Sequence, residues 1–373
     1  SGTYATASNS RELNVKTFSH GMFQSVYDYP YASSSANHIF DISFGCSTAA
    51  TSVSSSVTSQ VAKKVNIYNQ MAQVLAGYDT GSNIRRFDID GDLSSGNKYD
   101  ELVFFNFSRL LSKDEIKKGS FSMSVGASAA YAAPFDNKVS VTDSHATNDY
   151  FINSPAGEYS VLKYTAAAAT ATFTFSNKPN EETTITITDY EGTSKVFEVD
   201  DTGNGASVGG AIAVDGAGAA GFATALHNAI NGQAIKVTST NPSSGKIVLT
   251  QDAAGAAGNK TITLSNASNW NSNTSVNVPS AFEGGIDAGN AGLLYYQAGV
   301  AALTASLFGG DTADAIVNMD PSNTKMDAMV KTKTIDEISD AVRHRLKSIS
   351  FNNTTELNSS IFFCRAGPHE FNY

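Results

Sequence analysis

Three aspartates at alternate positions are the residues of this chain best suited to chemistry. Asp88, Asp90 and Asp92 lie in the segment FDIDGDL. Calcium prefers several hard oxygen ligands, and carboxylates at this spacing open the calcium loop of EF-hand proteins. The match fails at the sixth position, where Leu93 replaces the turn glycine, and at the twelfth, where Tyr99 replaces the bidentate glutamate. The favoured interpretation is therefore a solvated acidic turn between strands, and a bound calcium ion is the alternative.

No other pattern in the sequence predicts a metal or catalytic site. None of the six histidines pairs with another histidine or a cysteine at metal-ligand spacing. The segment GASVG around Ser207 has the spelling of a nucleophile elbow, but a glycine- and alanine-rich stretch follows where the elbow needs a helix. That stretch also lacks the Gly-Lys-Ser/Thr of a phosphate loop. We expect no catalytic residues, no cofactor other than calcium, and no enzymatic activity.

Composition excludes several classes of partner. The net charge of −10 argues against nucleic acid, which needs a basic footprint. No stretch of about 18 apolar residues is present, so we expect no membrane span. Charged residues make up 16% of the chain, well below the usual quarter or so, and uncharged polar residues replace them, as in extracellular or particle-bound β proteins.

Cys46 and Cys364 lie in apolar segments of the sequence, which predicts that both are buried free thiols.

Hydrophobic spacing predicts the elements that must position these residues. One apolar stripe at steps of three and four predicts a helix that ends near Gly77. The stripe consists of Val57, Val61, Val65, Tyr68, Ala72 and Leu75. Capping boxes predict two more helices, one from Ser112 and Glu115 and one from Thr334 and Glu337. Residues 102–107 (LVFFNF) predict a buried strand, and residues 360–365 predict a final strand.

The middle of the chain differs in composition from both flanks. Residues 165–286 are rich in Ala, Gly, Thr, Asn and Ser, whereas residues 1–164 and 287–373 read as ordinary globular sequence. We predict an α+β fold in which the flanks form one discontinuous, mixed and β-rich host domain with a few amphipathic helices. The middle is predicted to be an inserted small β-rich α/β module, with one helix packed on a small sheet. An insertion at a surface loop is compatible with both folds because domain termini tend to lie close together.

The flanks also resemble a known family. Segments such as KKVNIYNQMAQVLAGYD, YDELVFFNFSRLLSKDEIKKGSFSMSVG and GLLYYQAGVAALT are similar to virion structural proteins of contractile-tailed phages, especially marine ones. The middle, with FATALHNAING and KIVLTQDAAGAAGNKTITL, resembles a module found in many phage structural proteins. The resemblance implies a virion location after synthesis in the host cytoplasm. It implies assembly with copies of the chain and with other virion proteins, most naturally in the tail or baseplate. It assigns no functional residue to this chain.

Other functions stay open at this level. A surface carbohydrate-binding module or adhesin would need aromatic and amide groups in one groove, and Trp270 between Asn269 and Asn271 is the one seed for a glycan site. A capsid or neck component is a further alternative, and a glycosidase would need two carboxylates facing each other across a cleft. The chain begins without Met and stops abruptly at Tyr373, so we expect it to be a fragment of a longer protein.

Overall fold

The computed structural model describes residues 13–50, 53, 59–93, 96–126, 131, 134–135, 138–265, 279–308, 319 and 326–355. The strands are β1 (Val15–Thr17), β2 (Gln24–Tyr27), β3 (His38–Cys46), β4 (Phe87–Asp88), β5 (Lys98–Tyr99), β6 (Glu101–Phe107), β7 (Glu115–Ile116), β8 (Ser122–Gly126), β9 (Lys138–Thr142), β10 (Phe151–Ser154), β11 (Gly157–Tyr164), β12 (Ala168–Thr174), β13 (Thr184–Thr188), β14 (Ser194–Val199), β15 (Ile212–Val214), β16 (Val237–Ser243), β17 (Lys246–Ala254), β18 (Thr263–Leu264), β19 (Gly289–Tyr295), β20 (Val300–Thr304), β21 (Leu346–Ser350) and β22 (Asn353–Thr354). The helices are α1 (Ser59–Leu75), α2 (Arg109–Ser112), α3 (Gly218–Asn231), α4 (Met326–Thr332) and α5 (Ile335–Arg345). The predicted α+β class, mixed and β-rich, is confirmed.

One large antiparallel sheet is built from both flanks of the chain. Its strand order is β1-β2-β3-β6-β20-β19-β11-β9-β8-β21, and β10 pairs with β11 off this path. The predicted LVFFNF strand is β6, which pairs with β3 on one side and β20 on the other. Nearly every side chain of β6 is buried, since it is a central strand of this sheet. The predicted final strand at 360–365, and Cys364 within it, lie outside the described residues.

Helix α1 packs on β3 through the apolar stripe that the sequence predicts. Val61, Tyr68, Ala72 and Leu75 are buried, as expected, while Val57 lies outside the described residues. The helix approaches the strand so closely that a Cβ on Gly45 would lie 2.7 Å from the backbone nitrogen of Tyr68. The stripe also carries a buried lysine, which the apolar pattern does not predict.

That lysine, Lys64, joins α1 to the end of α4. Its Nζ donates hydrogen bonds to the carbonyl oxygens of Val330 (2.6 Å) and Lys333 (2.7 Å). Carbonyls at a helix C-terminus have no partner within the helix and carry its negative dipole end, so an ammonium group stabilises them. Burial lowers the pKa of Lys64, because the low-dielectric interior disfavours its charged form.

One capping box is confirmed and the other is wrong. Thr334 and Glu337 form the predicted reciprocal box at the start of α5. At the other location α2 begins earlier, with Ser108 as its N-cap, and its C-cap is Lys113, whose φ is +52°. Glu115 lies instead in strand β7, paired with β22. The serine that caps this helix therefore comes four residues before the one that the sequence pattern selects.

Residues 165–286 form their own sheets and core. β12, β17 and β16 make a three-stranded sheet, and β15, β14, β13 and β18 make a four-stranded one. The sequence predicts a single small sheet, so that detail is wrong. The predicted helix is α3, and it buries Phe222, Leu226 and Ile230 in a cluster distinct from the core of the large sheet. Val214 joins that cluster too, although it lies in a glycine- and alanine-rich part of the sequence.

The chain leaves and re-enters the large sheet at neighbouring points. β11 ends at Tyr164 and β19 begins at Gly289, and these two residues are opposite each other in the antiparallel pair β11–β19. Beyond them a further bridge joins Ala167 to Ile286. Within the described residues, no helix is both long and apolar enough to span a membrane.

Candidate metal centre

The acidic segment lies in a short hairpin at the side of the large sheet. β4 pairs with β5 so that Phe87 is opposite Tyr99 and Asp88 is opposite Lys98. Phe87 anchors the hairpin, because its ring is fully buried and packs edge-on against the ring of Tyr68 at 5.4 Å. The packing of Phe87 thus fixes the position of the adjacent Asp88, the first residue of the acidic segment.

The structure brings all three sequence-predicted aspartates together. One ligand oxygen from each of Asp88, Asp90 and Asp92 lies within 4.8 Å of the other two. Asp90 and Asp92 are exposed, whereas Asp88 is fully buried. The expectation of a solvated acidic turn is therefore wrong for Asp88. Its carboxylate is buried because the neighbouring Phe87 packs into the core.

Asp88 has an unequal environment at its two oxygens. Oδ2 accepts a hydrogen bond from the ammonium of Lys98, while Oδ1 is buried and has no hydrogen-bond partner among the described residues. Burial raises the pKa of Asp88, and the neighbouring carboxylate of Asp90 raises it further, whereas Lys98 lowers it. The net direction is upward, so the site as it stands does not fully stabilise the negative charge of Asp88.

Positive φ angles at Gly91 and Leu93 shape the acidic part of the turn. Gly91 has φ +84°, and a Cβ there would lie 2.7 Å from Cε2 of Phe151 and 3.0 Å from Cγ2 of Val161. A larger residue here would have to displace the ring of Phe151 and adopt a positive φ. Leu93, at the sixth position of the motif, has φ +59°. The backbone therefore adopts the left-handed conformation that glycine supplies in an EF-hand loop, although the sequence departs from the motif at this point.

Strands of the large sheet hold the acidic turn in place. The hydroxyl of Tyr159 on β11 donates a hydrogen bond to the carbonyl oxygen of Gly91 at 2.6 Å. The side-chain amide of Asn290 on β19 donates one to the carbonyl oxygen of Ile89 at 2.9 Å. Sequence reasoning did not identify Lys98, Tyr159 or Asn290. The one signal available for Lys98 was the hairpin register that places it opposite Asp88.

A cleft of about 560 Å³ borders the hairpin and is lined by both polar and apolar residues. Lys98, Asp100, Glu101 and Asn290 line it, together with residues of β20 and the turn after it. Asp100 already has partners. It accepts a hydrogen bond from the hydroxyl of Ser47 (2.5 Å) and forms an ion pair with Arg86 (2.7 Å). The cleft adds oxygen-rich, solvent-open surroundings to the acidic turn.

Ser207 is not placed as a nucleophile. Its Oγ donates a hydrogen bond to Oε1 of Glu198 at 2.5 Å, and its amide and that of Val208 donate to the same carboxylate. The next element is strand β15 rather than a helix, so the elbow context is absent here. Burial raises the pKa of Glu198, but these hydrogen bonds outweigh it and hold the pKa below its ordinary value.

The remaining sequence candidates are accounted for by local structure. His227 shares a hydrogen bond with Ser239 (3.1 Å), and Nε2 of His344 bonds to the carbonyl oxygen of Tyr131 (2.8 Å). Cys46 is a buried free thiol, as predicted, and burial raises its pKa to about 11. The proposed glycan seed at residues 269–271 lies outside the described residues.

Comparison of the chain with protein-family models, curated proteins and solved structures finds no match.

Proposed function

We propose that this chain is a structural subunit of a tailed-phage virion, associated with the tail or baseplate, that acts by assembling with copies of itself and with other virion proteins. The sequence resemblance described above is the starting point. The observation that carries the proposal is the way residues 165–286 depart from the large sheet between two paired strands and build a core of their own. This organisation suits a protein that displays one part while another part is packed into an assembly.

The contacts of the flanks support one discontinuous host domain. β11 precedes residues 165–286 and β19 follows them, yet the rings of Tyr159 and Tyr295 stack at 5.1 Å between these strands. The flanks also share a single hydrophobic cluster that draws residues from Val15 to Leu346. We therefore assign residues 1–164 and 287–373 to the host domain and residues 165–286 to an inserted module that faces outward.

The aromatic residues of the host domain divide into core and surface sets. The segment 293–296 is fully buried, so these residues fill the core. In the segment 23–31, by contrast, Tyr29 and Tyr31 are exposed by 58% and 46%. Exposed tyrosines are common anchors of protein interfaces because they combine a large apolar ring with a hydrogen-bonding hydroxyl. They are the surface that we assign to contact with a neighbouring subunit.

Self-association of the purified chain tests the assembly role. We expect symmetric oligomers by light scattering and by electron microscopy, since virion subunits act through repeated contacts. The double variant Tyr29→Ser/Tyr31→Ser should shift the population to smaller species. Tyr78→Ser, which alters another tyrosine with 53% exposure, is the matched control and should leave the oligomers unchanged.

Two outcomes would contradict the proposal. One is a chain that stays monomeric up to its solubility limit and is not found in phage particles by antibody labelling. The other is selective binding to immobilised glycans, which would favour the adhesin alternative.

The domain assignment has its own test, which is a variant in which a short Gly/Ser linker replaces residues 165–286. This variant should keep one cooperative unfolding transition, and loss of that transition would refute the insertion.

A further inference from the structure

The buried carboxylate of Asp88 has one oxygen that is suited to bind a cation. Its side chain is fully buried and its Oδ1 has no hydrogen-bond partner among the described residues. A buried polar atom without a partner is costly, and a buried charge is more costly still unless it is paired or coordinates a metal. Lys98 forms an ion pair with the carboxylate, but its hydrogen bond goes to the other oxygen, Oδ2. The unpaired Oδ1 therefore points to a positive ligand that belongs beside it.

The other two aspartates complete a set of oxygen donors at the right separation. The three ligand atoms lie within 4.8 Å of one another. Oxygens bound to one calcium ion at 2.3–2.6 Å can be no more than about 5 Å apart, so all three fit around a single ion. Oδ1 of Asp88 and Oδ2 of Asp90 lie near the same point, since a Cβ added at Gly96 would be 4.0 Å from the first and 3.9 Å from the second. The unpaired oxygen therefore lies on the side of Asp88 that is near another carboxylate of the cluster.

The donor set selects the class of ion. The set contains oxygen donors and neither imidazole nor thiolate, which favours a hard cation over zinc. The exposure of Asp90 and Asp92 leaves room for water molecules to complete the coordination. Calcium accepts such variable geometry, whereas magnesium demands a near-ideal octahedron and gives up its water reluctantly.

We propose that Asp88, Asp90 and Asp92 bind a calcium ion. The ion pairs with the buried Oδ1 of Asp88 and draws the two exposed carboxylates onto it, closing the turn. That turn is bonded to β11 through Tyr159 and to β19 through Asn290. Calcium therefore stiffens the turn against the two strands between which residues 165–286 leave the sheet. This inference does not depend on the proposed virion role.

Direct binding to the full chain is the test. Calcium titrated by calorimetry should bind at one saturable site, with a Kd in the range of roughly 10⁻⁴–10⁻³ M that open extracellular sites show. Terbium should give tyrosine-sensitised luminescence that calcium quenches by competition. Asp90→Asn and Asp92→Asn should each weaken calcium binding by about tenfold or more, because affinity depends on the number of charged ligands. Asp215→Asn, which removes one exposed carboxylate elsewhere, should leave it unchanged.

A lysine variant separates ion binding from a purely structural role of the cluster. Lys98→Met removes the ammonium that holds Oδ2 of Asp88, so calcium should bind more tightly to this variant than to the parent protein. Equal or weaker binding would overturn the inference that Asp88 is the central ligand. Circular dichroism without calcium checks that each variant is folded.

The whole proposal fails if the parent chain shows no saturable calcium binding at millimolar concentration, or if Asp215→Asn weakens binding as much as Asp90→Asn and Asp92→Asn do. Neither result would bear on self-association, so the two proposals can fail separately.

Discussion

The hydroxyl of Tyr159 reaches across from β11 and donates a hydrogen bond to the carbonyl oxygen of Gly91, 68 residues earlier in the chain. This contact is buried and joins the acidic turn to the middle of the large sheet. Burial raises the pKa of Tyr159 well above its ordinary value of 10.0, so the hydroxyl keeps its proton and remains a donor under ordinary conditions.

Tyr159→Phe should therefore destabilise the protein. The substitution keeps the ring but removes the hydroxyl, which bonds to the carbonyl oxygen of Gly91 and also lies 2.8 Å from Oδ1 of Asn153. Loss of these buried contacts should cost roughly 1–3 kcal/mol. Denaturant unfolding measures the change in the free energy of unfolding. Tyr150→Phe, at a tyrosine that is 40% exposed, is the control and should change it by less than about 0.5 kcal/mol. Equal effects of the two variants would show that the Tyr159 hydroxyl is not needed.

Gly91→Ala should cost more than Gly192→Ala. Both glycines have a positive φ, of +84° and +93°, so each substitution incurs the left-handed penalty of roughly 1–2 kcal/mol. A Cβ at position 192 meets nothing within 4 Å, whereas one at position 91 would collide with Phe151. The difference between their free energies of unfolding therefore isolates the packing contact. We expect Gly91→Ala to be the worse by about 1 kcal/mol or more, in line with overpacked cores. Similar losses would contradict this close approach.

Lys64→Met should weaken the junction between α1 and α4. The substitution keeps most of the side-chain volume but leaves the carbonyls of Val330 and Lys333 without their donor. We expect a loss of roughly 1–3 kcal/mol in the free energy of unfolding. Lys63→Met is the matched control, because Lys63 lies one position earlier in the same helix and its ammonium donates an exposed hydrogen bond to the carbonyl oxygen of His20. If Lys64→Met proves neutral or stabilising, the free energy lost by burying the ammonium is at least as large as the free energy gained from its hydrogen bonds.

The capping box of α5 predicts a pH dependence. The amide of Thr334 donates a hydrogen bond to Glu337, and this bond is the main reason that the pKa of Glu337 lies below its ordinary value of 4.5. A carboxylate whose pKa is lowered by folding stabilises the folded state above its unfolded pKa, and that contribution is lost as pH falls through the folded pKa. Glu337→Gln should therefore be less stable than the parent protein near neutral pH.

That difference should shrink as pH falls below about 4.5, where the parent glutamate becomes protonated too. Thr334→Ala should cost about 1 kcal/mol at neutral pH through loss of the N-cap. Unfolding curves recorded across this pH range measure both effects. A gap between Glu337→Gln and the parent protein that stays constant with pH would show that the charge of Glu337 has no part in the cap.

Local sequence rules predicted the elements whose signals are contained in a short stretch. The stripe through Val61 and Tyr68 and the box formed by Thr334 and Glu337 depend on neighbours within one or two turns, and both are confirmed. The box at Ser112 failed because an equally good cap, Ser108, lies one turn earlier and the chain uses that one. Competition between similar local signals is decided by tertiary contacts, such as the pairing of Glu115 with β22.

The candidate metal centre shows where sequence reasoning ends. The spacing of Asp88, Asp90 and Asp92 indicated an oxygen-rich turn. It did not show that one of the three would be buried, because that depends on how Phe87 packs against Tyr68. Leu93 counted against a calcium loop by residue type, yet its backbone adopts the conformation that the loop needs. Long-range partners such as Tyr159 could not be found from local patterns at all.

The position of Tyr164 opposite Gly289 has a consequence for how such a chain can change over time. Residues directly opposite each other in antiparallel strands have Cα atoms only about 5 Å apart. The strand pairing therefore requires that the two ends lie next to each other, and it sets no length for the chain that joins them. Any small fold with neighbouring termini could be exchanged at this point, by recombination or by design, while the strand register on either side stays as it is.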